Sequence, residues 1–200
     1  MANANTPFGL RPVQYLDGSP WNGQARMYCV DSAYGTALAI GDPVVLAGGA
    51  DTRGVATIAL ATAGSTNLVL GCIVGMGGLK YGGAGGDPTS LDTTVIPATK
   101  TKSYYVLVAD DPNIIFAVQE IGTGTAFTAA EVGLNCSLVA GTNNGYSSTW
   151  QLDNTTEATT AALQMKLMGL QQMPDNAFGA YAKWLCLINN HCYKAASAGL

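Results

Sequence analysis

The residues able to do chemistry are few and poorly grouped. A single histidine, His191, stands beside Cys192 and five residues after Cys186. A thiolate nucleophile needs such a pairing, with the imidazole as its base. In a strand, however, adjacent side chains point to opposite faces. No separate segment is at hand to orient the ring, and His191 reads as a structural histidine. Structural zinc requires four convergent Cys or His ligands, usually in close pairs. Cys186-x5-Cys192 is one such pair, but Cys29, Cys72 and Cys136 are scattered, and all five thiols read as reduced. Asp110-Asp111 offers two carboxylates for a cation or for acid–base work, yet Pro112-Asn113 follows at once, and that is turn chemistry. The glycine-rich run 75–86 around Lys80 lacks the Gly-Lys-Ser/Thr ending of a phosphate loop and reads as a long flexible loop. Asn135-Cys136-Ser137 and Asn154-Thr155-Thr156 match the glycosylation pattern, with no secretory signal to give the match meaning. No cluster passes as an active site. The expectation is a protein that is not an enzyme and uses no cofactor or metal.

The elements that hold these residues read as β almost throughout. Runs rich in Val, Ile, Leu and Tyr, bounded by Gly, Pro, Asn or Asp, predict strands at 24–30, 43–46, 68–74, 104–109, 114–119, 164–170 and 180–189. The turn at Asp110-Asp111-Pro112-Asn113 predicts a hairpin between 104–109 and 114–119, with Ile114, Phe116 and Val118 on one face. A second pair closes the chain. In its last strand Ala182, Trp184, Cys186 and Ile188 face one way, and Tyr181, Lys183, Leu185 and Leu187 the other. Residues 159–167 suggest a short helix, and 129–134 a single turn of one. The predicted fold is an all-β, jelly-roll-like sandwich or barrel with an extended N-terminal arm: residues 1–23 form the arm, and 24–200 one β-rich domain.

The arm is distinctive. Pro7, Pro12 and Pro20 with Gly9, Gly18 and Gly23 forbid a long helix, yet Phe8, Leu10, Val13, Tyr15, Leu16 and Trp21 are too apolar for a solvated tail. Such an arm must pack, on its own domain or on a neighbour. Charge points the same way. Lys, Arg, Asp and Glu make up 11% of the chain, against ~25% in an ordinary soluble domain. The longest uncharged stretches, 54–79 and 132–152, are broken by polar turns and are too mixed to predict a spanning helix. The chain carries 9 basic and 13 acidic residues, formally −4, and lacks the basic cluster that a nucleic-acid backbone or an anionic membrane attracts. A surface so poor in charge suggests cover by protein neighbours.

Four segments together carry a resemblance: 5–24 (NTPFGLRPVQYLDGSPWNGQ), 40–48 (IGDPVVLAG), 108–119 (VADDPNIIFAVQ) and 184–193 (WLCLINNHCY). They resemble the capsid decoration, or cement, proteins of short-tailed bacteriophages. The resemblance implies a structural virion protein on the outer surface of an icosahedral capsid, made in the bacterial cytoplasm. There it would clamp neighbouring major capsid protein subunits as a homo-oligomer, dimer or trimer. Within the arm, Phe8, Leu10 and Trp21 would be the anchors in the partner contact, and Arg11 would pair with a carboxylate on the shell. The alternative is a carbohydrate- or host-binding β-sandwich module of head-fibre type, with Tyr146 and Trp150 as stacking residues. A self-assembling shell protein would need more helix than this sequence predicts.

Overall fold

Short apolar runs that stop at Gly, Pro, Asn or Asp cannot build long helices, and here they build strands. The computed structural model describes residues 3–76, 95–196 and 198–199. These are essentially all-β. The strands are β1 (Arg11–Tyr15), β2 (Arg26–Val30), β3 (Leu38–Ala39), β4 (Pro43–Ala50), β5 (Ala56–Leu60), β6 (Gly71–Met76), β7 (Val95–Ile96), β8 (Tyr104–Ala109), β9 (Ile114–Gln119), β10 (Asn135–Cys136), β11 (Leu138–Val139), β12 (Gln151–Leu152), β13 (Met165–Leu170) and β14 (Lys183–Ile188). The glycine-rich run 75–86 begins inside β6, and its remainder lies outside the described residues.

Two bodies pack together. The first is a closed barrel in the order β2-β5-β4-β6-β8. Its neighbours are antiparallel except at the seam, where β2 meets β5 in parallel through Cys29 and Thr57. Closure leaves no barrel edge open to pairing. Val30, Val44, Ile58, Leu70, Ile73, Val106 and Val108 fill the interior. The second body is a five-stranded sheet, β1-β9-β14-β13-β10. Its inner face joins Phe116, Phe127, Trp150 and Trp184 to Val69, Cys72 and Ala109 from the barrel side, in one core. Ala182, just before β14, and Trp184, Cys186 and Ile188 within it are buried as the alternation predicts, and β9 directs Ile114, Phe116 and Val118 into the same core.

The predicted hairpin across Asp110–Asn113 does not form. The turn does, with Ile114 N donating to Asp111 O (3.1 Å) and Asn113 N to Asp111 Oδ1 (2.8 Å). But β8 pairs with β2 and β6, while β9 pairs with β1 and β14. A strand has two edges, and distant partners occupy all four. The turn therefore carries the chain from barrel to sheet. Asp110 is buried there, accepting from Tyr28 Oη (2.6 Å) beside Arg26 (3.5 Å).

The helix predicted at 159–167 is also absent: turns precede β13. Side chains from elsewhere claim the carbonyls a helix would use. Asn135 Nδ2 donates to Thr160 O (2.9 Å), and Asn189 Nδ2 to Ala161 O (3.0 Å) and Leu163 O (2.9 Å). Gln164 turns inward instead, donating to Thr62 O (2.8 Å) and accepting from Gly64 N (3.0 Å). The short turn predicted near 129–134 is a 3-10 turn at Ala129–Glu131, closed by a Thr128–Glu131 capping box.

Candidate functional site

The N-terminal arm lies along its own domain. Asn3 Nδ2 donates to Ala177 O (2.8 Å) and Ala180 O (3.0 Å), and Gln119 Nε2 donates to Ala4 O (2.7 Å). Residues 11–15 then join the sheet as β1 beside β9, with a bulge between Pro12 and Gln14. The chain doubles back at once: Tyr15 N donates to Ser19 O (2.9 Å) and Trp21 N to Val13 O (3.0 Å). That return covers the outer edge of β1 and brings Trp21 level with Val13.

Where the arm crosses the barrel, the two backbones nearly touch. Leu10 N donates to Gly41 O (2.9 Å). Gly9 (φ +71°) and Gly41 (φ +88°) make this approach possible. A Cβ on Gly9 would stand 2.2 Å from Gly41 O, and one on Gly41 would stand 2.3 Å from Phe8 O. Left-handed backbone and close approach are the two conditions that select glycine. Asp42 shapes the barrel side of this contact, its Oδ2 accepting from Ala39 N (2.7 Å) and closing the turn that presents Ile40 and Gly41. Burial pushes the Asp42 carboxyl pKa up, opposed by the hydrogen bond from Ala39 N.

Beside this junction lies an apolar groove of about 270 Å³, lined by Phe8, Leu10, Arg11, Pro12 and Trp21 of the arm, Ile40, Gly41, Ile73 and Val74 of the barrel side, and Ser147. All four arm residues singled out in the sequence converge here, but not alike. Leu10 is 1% exposed and packs into the chain's own core, so its side chain is already spent within the molecule. Phe8 and Trp21 are half-buried and Arg11 is exposed. The Arg11 guanidinium lies over the Phe8 ring, 4.8 Å from its centroid, and Trp21 Nε1 donates to Gln24 O (3.1 Å). The opposite wall, Ile40, Ile73 and Val74, was not picked out in the sequence as a site. Its one signal was the Ile-Gly-Asp-Pro run at 40–43, where a glycine and a turn-forming aspartate interrupt apolar residues.

The other candidates separate. His191 is buried, its Nδ1 accepting from Tyr193 N (3.0 Å), and burial pushes its pKa down. The thiols of Cys72, Cys136 and Cys186 are fully buried and shifted far upward by desolvation, which leaves them protonated and unreactive. Among the described residues no group of three or more His, Cys, Asp or Glu side chains comes together as a metal site. Trp150 is 1% exposed while Tyr146 is 74% exposed, so the two cannot form one stacking surface. A wider polar recess of about 460 Å³ lies at the end of the barrel near Asp31, Asp51, Arg53, Lys102 and Tyr105. Its carboxylates are held in turns: Asp51 Oδ1 accepts from Arg53 N (2.9 Å) and Val55 N (2.8 Å), and Asp31 Oδ1 from Ala33 N (2.7 Å).

Fold and groove together define an all-β protein with a sewn-down arm and an apolar surface cleft. Set against known protein families, curated proteins and solved structures, the chain finds no match in any of the three.

Proposed function

We propose that this chain is a non-enzymatic structural protein of a phage virion, binding the outer surface of an icosahedral capsid and clamping neighbouring major capsid subunits. The observation that carries this reading is the convergence of Phe8, Arg11 and Trp21 with Ile40, Ile73 and Val74 around one apolar groove. The segments that resemble cement proteins include the arm wall of the groove, at 5–24, and Ile40 and Gly41 of the facing wall, at 40–48. Half-buried aromatic residues beside an arginine are the composition that dominates interface energetics. The low charge suits a surface covered by neighbours. Several copies acting as a dimer or trimer would make release slow, because each bound copy holds its partners at high effective concentration.

Removing the whole arm is a poor test, since it deletes β1 from the sheet and Leu10 from the core. Side-chain truncation is cleaner. Phe8→Ala with Trp21→Ala should weaken binding to purified shells of the encoding phage by about 30-fold or more, the effect of losing ~2 kcal/mol at a hot spot. Co-sedimentation reads this directly. Unchanged binding by a folded double variant would remove the groove from the contact.

A further inference from the structure

We propose that the groove accepts an acidic–apolar segment of the partner polypeptide: one apolar side chain seated between Phe8, Trp21 and Val74, with a neighbouring carboxylate paired to Arg11. This rests on the reading that the groove is a protein contact, and it names the chemistry of the occupant.

Size is the first argument. At about 270 Å³ the groove falls just below the ~300–1,000 Å³ of pockets that enclose small ligands. It suits a side chain or two with their backbone running past. Charge is the second argument. Arg11 is the only charged residue among those lining the groove, and no carboxylate lines it. The ion pairs formed among the described residues are Arg26–Asp110 and Lys183–Asp175, and neither involves Arg11. The third argument is orientation. The guanidinium carbon lies 4.8 Å from the Phe8 ring centroid, and among the described residues its N–H edge meets no hydrogen-bond acceptor. A carboxylate takes that edge through two parallel hydrogen bonds, a geometry lysine cannot reproduce. A lone cation at the lip of an apolar cleft thus specifies a carboxylate next to an apolar side chain.

The test uses the full chain, isotope-labelled, with the Trp21 indole N–H and the Arg11 side-chain N–H followed by NMR. Three blocked tetrapeptides serve as probes: Gly-Asp-Leu-Gly, Gly-Lys-Leu-Gly and Gly-Asp-Ser-Gly. The Asp-Leu peptide should shift both signals with a Kd on the order of 1 mM, and the other two should bind at least tenfold more weakly. Arg11→Gln should abolish the preference for Asp over Lys while the rest of the spectrum stays that of the folded protein. Equal response to the Asp-Leu and Lys-Leu peptides overturns the proposal, as does no response to any peptide up to about 10 mM. So does a shift of the Trp21 signal with protein concentration alone, which would assign the groove to a second copy of the chain. Shell co-sedimentation separates the two levels. If the wild type does not sediment with shells, the capsid reading fails. If the wild type and Arg11→Glu sediment equally, the acidic-segment proposal fails and the capsid reading stands.

Discussion

Glu120 is fully buried at the end of β9, with Oε2 accepting from Phe127 N (3.1 Å). Desolvation raises its pKa to about 7, outweighing the hydrogen bond from Phe127 N that favours the carboxylate. The unfolded chain ionises this group near 4.5. Below that pH both states are protonated and the group costs nothing. As pH rises from about 4.5 to about 7 the unfolded state loses its proton first, so stability falls by about 1.4 kcal/mol per pH unit. Above pH 7 the loss is complete, at about 3 kcal/mol. Glu120→Gln keeps the shape and an acceptor for Phe127 N but cannot ionise. The variant should therefore gain on the wild type as pH rises. Between about pH 5.5 and 8.5, away from the acidic pH at which this chain approaches neutrality, the gain should be about 2 kcal/mol, or about 5 °C in Tm for a chain of this length. Thermal melts of both proteins across that range check this. Curves that stay parallel within about 0.5 kcal/mol would refute the argument that Glu120 is held protonated by burial.

Three further predictions concern the arm and the barrel end. Leu10→Ala should cost about 2–5 kcal/mol in urea unfolding, because the side chain is 1% exposed in the main core; a cost below 1 kcal/mol would show that the arm is detached in solution. Gly41→Ala should destabilise by more than about 1 kcal/mol, from left-handed strain and a clash with Phe8 O, and denaturant midpoints measure it. Tyr28→Phe removes the hydroxyl that donates to buried Asp110 and should cost about 1–3 kcal/mol; an unchanged midpoint would mean that Arg26 or water replaces it fully.

Much of this fold was legible because strands announce themselves locally. The apolar alternation in 182–188 and 114–118 sets which side chains enter the core, and the Asp111 turn is written in Asp-Pro-Asn. Partner choice is not local. Nothing in 104–119 says that β8 must give its edges to β2 and β6, because those strands lie 30 or more residues upstream. The same holds for 159–167, whose helical propensity loses to amide side chains from Asn135 and Asn189. The short pairs β3–β7 and β11–β12 are two residues long and carry no periodicity to read. At the groove, the arm wall was visible as apolar residues between prolines. The barrel wall was hidden, since Ile73 and Val74 look like any other strand residues until the arm is laid beside them. Leu10 shows the limit most clearly: its apolar character demanded burial, but the sequence left open whether in this molecule or in another.

The arm's course also sets an order of events during synthesis. The barrel strands lie between residues 26 and 109, so their pairings can form while the ribosome is still making the rest. β1 is made before the barrel yet docks on β9, and Asn3 is tied to Ala177 and Ala180, more than 170 residues downstream. The arm, made before the domain it docks on, is thus among the last parts to be secured, and closing such distant contacts is slow. Until then Phe8 and Trp21 hang from an unfinished protein. The groove is assembled only when the arm comes home, so an incomplete chain cannot present it.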